Sequence, residues 1–258
     1  IKTNRIRRSN QIFHKNKFVK YPFENDLASL SSQERDYCLT EFLNNPYENY
    51  DPQNMLQFFL KTFGEGITRL YLQTYNEKIW KFDPAFMDIQ MVERIPKPPK
   101  EDVIKSAHGI LTEGYTHQLY FHYPQSGGFQ TLVDAYDKIN REKCNVHLGT
   151  KIEKVYKYQG QWTVETNQGV FRSYHLLNCM PLHELFKCLD APSDIRETLQ
   201  KLKYNSIHIV VVQAKRDFLG DNFAIFLGDQ ESIFHRVTKL NFLGKSYCLE
   251  EGGTTLRC

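Results

Sequence analysis

Residues able to grip or stack on a ligand fall in five short segments: Tyr21-Pro22-Phe23-Glu24-Asn25, Tyr75-Asn76-Glu77-Lys78-Ile79-Trp80, Glu93-Arg94-Ile95-Pro96, Tyr123-Pro124-Gln125-Ser126-Gly127-Gly128 and Phe234-His235-Arg236-Val237-Thr238. The guanidinium forks of Arg94 and Arg236 suit phosphate oxygens. The aromatic rings can stack on a flat base or cofactor ring. A glycine pair ahead of a helix lets the backbone approach a ligand closely. Each segment also has a purely structural reading: Tyr75 and Trp80 as core, Arg94 as a helix-end charge, Gly127-Gly128 as a turn, Arg236 as an exposed strand residue.

Other chemistry finds no support. Gly64-Glu65-Gly66-Ile67-Thr68-Arg69 offers G-x-G, but Arg69 stands at the third glycine and the segment follows a helix, where a dinucleotide-binding turn follows a strand. There is no P-loop, no G-x-S-x-G and no H-E-x-x-H. The six cysteines form no C-x-x-C, as expected of reduced thiols in a cytoplasmic protein. Cys144-x-x-His147 and Cys179-x-x-x-His183 are isolated pairs, so no metal is expected.

The elements that must position these groups change character along the chain. Gln11 to Tyr21 reads as two short strands around a polar turn. Ser31-x-x-Glu34 is a capping box followed by Cys38, Leu39, Phe42 and Leu43 at helical spacing. Asp51-Pro52 predicts the start of a second helix with Met55, Leu56, Phe59, Leu60 and Phe63 as its stripe, interrupted at Gly64 and Gly66. A third helix holds Ile67, Leu70 and Tyr71, and Asp83-Pro84 opens a short one. Pro96, Pro98 and Pro99 predict a linker. Gln118 to Pro124 reads as extended and the glycine pair leads into a helix with Leu132, Val133, Tyr136 and Ile139 on one face. A β-meander over 152–158, 161–166 and 170–178, a helix over 193–202, and strands over 207–214, 223–227 and 233–242 complete the chain, with 207–214 the most apolar.

Length and composition set the frame: 258 residues, 41% hydrophobic, 24% charged and 14% aromatic, a globular profile. The longest aliphatic run, Ile209 to Val212, is far short of a membrane span. Residues 1–20 hold Lys2, Arg5, Arg7, Arg8, Lys15, Lys17 and Lys20 with no acid. With no base-reading motif, these charges read as solvated hairpin residues, so no nucleic-acid partner is expected. Ile1 opens the chain without an initiator Met or a signal-peptide core, as expected of a chain that starts partway through a longer one.

In their order and spacing the segments resemble the UDP-galactopyranose mutase family, within the broader amine oxidase and protoporphyrinogen oxidase-like flavoproteins. The resemblance runs from about Gln11 to Phe242. Phe63-Gly64-Glu65-Gly66, Tyr75-Asn76-x-Lys78-x-Trp80 and Glu93-Arg94 look like the family's phenylalanine-glycine segment, tyrosine-x-x-lysine-x-tryptophan motif and substrate arginine. Tyr21-Pro22-Phe23 resembles its uridine-side segment, Tyr123-Pro124-x-x-Gly127-Gly128 its loop beside the flavin, and Phe234-His235-Arg236 the motif of its second essential arginine. Gly149 to Val155 is similar to the strand pair that meets the flavin's adenine, with Ile152 the contact.

The resemblance implies a flavin-dependent isomerase acting on a UDP-sugar, with reduced FAD forming an N5–sugar adduct between pyranose and furanose forms, on a route to cell-surface polysaccharide. It implies that Arg94 and Arg236 are catalytic, that Tyr21, Phe23, Glu24, Tyr75 and Trp80 bind substrate, and that Gly127, Gly128 and Ile152 meet FAD. Arg94 and Arg236 then share one cleft with Tyr75, Trp80 and the glycine loop. Glu24 stands where many relatives carry glutamine. The expected fold is mixed α+β and α/β, the central fragment of a two-part FAD-linked oxidoreductase-like fold. It comprises an antiparallel substrate sheet (1–26, 97–124 and 204–250), a helical subdomain (27–96) and a partial FAD-binding domain (125–203). The flavin diphosphate fingerprint is absent from these residues, so the fragment is expected to be inactive alone; its oligomeric state is left open. The alternatives are an amine oxidase or protoporphyrinogen oxidase-like oxidoreductase, and a non-catalytic sugar-nucleotide-binding module.

Overall fold

In the computed structural model, which describes every residue except 93, 94, 96, 115–118 and 249–252, the basic N-terminal stretch forms three strands: β1 (Thr3–Arg7), β2 (Asn10–His14) and β3 (Lys17–Lys20). The predicted hairpin turns at Lys15 and Asn16, both at positive φ, as a two-residue hairpin turn requires. β1 belongs to no predicted element. Its basic side chains hid a strand that buries only Ile6.

The helical stretch follows. α1 (Ser32–Leu43) starts at the predicted capping box, in which Ser31 Oγ accepts from Glu34 N–H and the Glu34 carboxylate accepts from Ser31 N–H. α2 (Met55–Ile67) starts later than Asp51-Pro52 predicts, because Asn54 caps it by accepting from Gln57 N–H at 2.9 Å. Gly64 (φ +72) kinks α2. A Cβ at Gly64 would lie 2.5 Å from Glu41 O, and one at Gly66 would lie 2.6 Å from Cys38 Cα. The two glycines that imitate a phosphate loop therefore serve helix packing, letting α2 meet the backbone of α1. A π-helical turn, Thr68–Leu72, leads into α3 (Gln73–Trp80). α4 (Lys100–Ala107) occupies the predicted linker. The three prolines concealed it, yet Glu101 and Asp102 suit its first turn and Val103 and Ala107 face the core. That core gathers Phe23, Leu27, Met55, Phe59, Ile67 and Val103 from four helices or turns.

β4 (Tyr120–Pro124) pairs antiparallel with β1. α5 (Gln130–Lys143), β5 (Ile152–Tyr158), β6 (Gln161–Thr166), β7 (Gly169–Ser173), α6 (Leu182–Cys188) and α7 (Ser193–Gln200) come next, then β8 (Val211–Ala214), β9 (Ala224–Leu227), β10 (Arg236–Lys239) and β11 (Thr254–Arg257).

The chain divides into two compact units, Ile1–Val133 with Ile207–Cys258, and Asp134–Ser206. In the first, six strands are ordered β3-β2-β9-β10-β11-β8. The expected antiparallel sheet has one parallel pairing, β2 with β9. β8, predicted as the most apolar strand, is an edge strand of this sheet with Val211 57% and Val212 42% exposed. In the second unit, β5-β6-β7 form the predicted meander, and Val155, 1% exposed, bridges to Leu189. No helix among the described residues is long and apolar enough to cross a membrane.

Candidate functional site

The cavity of interest lies in the first unit and holds about 300 Å³. Its walls include Arg8 and Asn10 from the β1–β2 corner, Tyr21 after β3, Phe121 of β4, Phe226 of β9 and Arg236 opening β10. Strand register assembles it: Asn10 lies opposite Ala224, and Arg236 opposite Phe226. Tyr21 N–H donates to Asn10 O at 3.1 Å and its ring lies 5.0 Å from Phe226.

A column of rings runs from the core toward this cavity. Phe23 stacks on Tyr71 at 5.1 Å, Tyr71 stacks on Tyr75 at 5.2 Å, and Tyr75 meets Phe226 edge-on at 5.7 Å. The spacing of Tyr71 and Tyr75, four residues apart along the helical run, puts both rings on one face. Gly228 lies against them, its Cβ position 3.6 Å from the Tyr71 ring and 3.7 Å from Tyr75 Cβ. Phe23 is thus a core residue, 1% exposed, that backs the Tyr71 ring. Glu24 is 3% exposed, and its main-chain carbonyl accepts from Ser106 Oγ at 2.7 Å.

Electrostatics bind these groups together. Burial, then the Glu24 charge, raises the Tyr21 phenol, against the opposing pull of Arg8. Burial pushes the Tyr75 phenol well up, while Arg236 opposes it. Arg236 itself is lowered by burial, supported by Tyr75, and lowered further by Arg257 and Arg8. Arg8 and Arg236 thus line the cavity against the single carboxylate of Glu113, with Arg257 acting on Arg236 from outside that lining, and the excess of positive charge favours an anionic ligand.

The hairpin carrying Arg236 is fastened to α3. Lys78, 5% exposed, donates from Nζ to the carbonyl of Asp229, and Asp229 Oδ1 accepts from Ser232 N–H at 2.7 Å. Trp80 donates from Nε1 to Asn76 Oδ1 at 3.2 Å and packs against the core. It does not line the cavity, and neither do Tyr75, which stands behind Phe226, and the glycine pair. Arg94 lies outside the described residues.

Gly127 and Gly128 follow β4 with φ of +73° and +64°. A Cβ at Gly127 would lie 2.5 Å from Thr131 Oγ1, whereas one at Gly128 would meet nothing nearer than Tyr123 OH at 3.7 Å. Gly128 thus needs glycine for its left-handed backbone and not for lack of room, and no bulky side chain covers the loop at that position. Ile152 is half-buried at the start of β5, where the register shifts before Lys154. Arg8, Asn10, Tyr71 and Phe226 are site residues that the sequence reading passed over. The helical spacing of Tyr71 and Tyr75 was the one available signal.

No protein-family profile matches the chain. Among solved structures, reduced UDP-galactopyranose mutase superposes on the whole chain with a TM-score of 0.87 at 23% identity. A protein assigned as protoporphyrinogen oxidase from Exiguobacterium sp. 255-15 does so with a TM-score of 0.70 at 14% identity. An engineered putrescine oxidase matches 99% of the chain with a TM-score of 0.52 at 12% identity. The chain has the flavoprotein oxidoreductase fold. It spans only 58%, 59% and 58% of these three chains, so it corresponds to a part of that fold.

Proposed function

We propose that the chain is the substrate-facing part of a flavin-dependent mutase, similar to UDP-galactopyranose mutase, that interconverts the pyranose and furanose forms of a UDP-sugar. The observation that carries this reading is the seating of Arg236 beside Tyr75 at an aromatic-walled cavity that also holds Arg8. An anion with a ring attached suits both wall types. A diphosphate can be gripped by guanidinium forks, and a flat base can stack on exposed aromatic surface.

In this reading Arg236 and Arg8 bind and orient the diphosphate, and Arg94 joins them on the strength of the motif resemblance. Tyr75 backs the cleft through its contact with Phe226, Trp80 is assigned to it on the strength of the motif resemblance alone, and Tyr21 with Glu24 lies toward the uracil and ribose. Phe23 contributes by holding the Tyr71 ring, on which Tyr75 stacks. FAD would be met by Gly127 and Gly128, with Ile152 assigned to it on the motif resemblance alone; when bound in reduced form it supplies the nucleophile for the anomeric carbon. The protein's own part is positioning and charge neutralisation of a departing diphosphate, which accounts for a site rich in arginine and tyrosine without an acid–base dyad.

The amine oxidase alternative is disfavoured by charge, because a cationic amine meets two guanidiniums against the one carboxylate of Glu113 at this cavity. The test uses the polypeptide carrying these residues, loaded with flavin and reduced with dithionite, with UDP-galactose and UDP-galactofuranose separated by chromatography. Interconversion only with reduced flavin supports the mutase. Substrate-dependent oxygen uptake without interconversion overturns it in favour of an oxidase, and UDP binding by a protein that never takes up flavin overturns it in favour of a binding module.

A further inference from the structure

The Pro124–Gly128 turn is tied by Gln125 N–H donating to Lys2 O at 3.0 Å and Thr131 Oγ1 donating to Ser126 O at 2.9 Å, and one phenol from outside bridges its two ends. Tyr247 sits in the 3-10 turn Lys245–Tyr247. Its hydroxyl donates to Pro124 O at 2.8 Å and accepts the Gly128 N–H at 3.0 Å. Ser246 Oγ donates to Gln125 O beside it, and the Tyr247 ring meets Tyr123 edge-on at 5.5 Å. The clamp is itself anchored. Asn4 Nδ2 donates to Leu243 O at 2.9 Å, and Gly244 adopts φ +142° where a Cβ would lie 2.6 Å from Asn4 Nδ2.

Two consecutive glycines enter left-handed backbone without strain, but nothing in their own chemistry selects it over other conformations. A loop of this kind needs an external restraint to be preformed. The phenol supplies one by bridging the first carbonyl of the turn to the last amide.

We propose that Tyr247 is a positioning residue that fixes Gly127 and Gly128 in their twin left-handed conformation before any ligand arrives. The step toward flavin rests on the reading above, in which this loop faces the cofactor. If the loop instead ordered only on binding, the Gly128 amide would exchange freely in the unliganded chain.

Tyr247→Phe keeps the ring and its edge contact with Tyr123 while deleting both hydrogen bonds. Amide hydrogen exchange at Gly128 should quicken about tenfold or more, with Tm within about 2 °C of the parent. Ser246→Ala, which leaves the phenol in place, should quicken it by less. In the flavin-loaded polypeptide, Tyr247→Phe should weaken flavin affinity about tenfold and shift the flavin absorption band. Unchanged Gly128 exchange overturns the clamp. Faster exchange with unchanged flavin affinity and spectrum overturns its positioning role. If the parent polypeptide takes up no flavin, the cofactor reading falls while the exchange measurement still decides the clamp.

Discussion

Arg236→Gln should move stability and ligand affinity in opposite directions. Burial holds the Arg236 guanidinium below its ordinary range, Tyr75 supports the charge, and Arg257 and Arg8 oppose it. Without an anion, these like charges near one partly screened corner cost on the order of 0.5–1 kcal/mol. Glutamine keeps much of the stem and a polar end while removing the charge. The unliganded chain should therefore gain about that much stability, a rise in Tm of about 1–4 °C for a unit of this size. Charge-assisted hydrogen bonds to a bound diphosphate are worth about 1.5–3 kcal/mol, so affinity for UDP should fall about 10- to 150-fold. Thermal melting with and without UDP, joined to calorimetric titration, reads both quantities in one preparation. The imidazole of His235 gives an internal control: burial lowers it first and Arg236 next, so its NMR titration should move upward in the variant. A variant that melts lower than the parent and binds UDP equally well refutes the convergence of charge on which the site rests.

Three other outcomes follow from the same geometry. Glu34 is opposed by burial but held at about 2, against 4.5, by hydrogen bonds from Lys15, Ser31 and His14; this stability is present above about pH 4.5 and lost as pH falls toward 2. Glu34→Gln should flatten that acid limb and cost about 1–3 kcal/mol at neutral pH, as read by denaturant melts across pH. Lys78→Met should leave stability within about 1.5 kcal/mol, because it removes both a buried charge and its bond to Asp229, while raising the His235 titration; an unmoved His235 contradicts the hairpin contact. Gly66→Ala should destabilise by about 1–3 kcal/mol despite the better helix propensity, since the added methyl meets Cys38 Cα at 2.6 Å, and equal Tm in a thermal melt refutes the close approach.

The elements written in local chemistry were legible. The Ser31 capping box, the Lys15-Asn16 hairpin turn and the meander after Thr150 are each decided within a few neighbouring residues. What failed was local evidence pointing the wrong way. Three prolines read as a linker although α4 begins directly after Pro99, a position where the missing N–H costs nothing. The predicted strand over 207–214, the most apolar of the chain, is shorter in the structure, and β8 stands at a sheet edge with its valines exposed. Of the site, Arg236, Tyr75 and Tyr21 were visible by residue type. Arg8 was hidden among seven basic residues of the first twenty, with nothing in its spacing to set it apart.

The cavity explains why that hidden arginine matters. Ser9 O accepts from Phe223 N–H at 2.7 Å, and β2 then runs parallel to β9 with Asn10 opposite Ala224 and Ile12 opposite Phe226. β10 returns antiparallel, setting Arg236 opposite the same Phe226. Residues more than two hundred positions apart therefore meet through one register, and Phe226 is the shared reference between them. A slip of one residue would turn Phe226 to the other face of the sheet, taking it away from both the Tyr21 and Tyr75 rings it contacts. Ile12 at 0% exposure beside it makes such a slip costly, because it would carry a fully buried side chain out of the core. The packing that stabilises the sheet thus also fixes which arginines face the cavity, so the basic N-terminal stretch is part of the site's wall as well as a solvated hairpin.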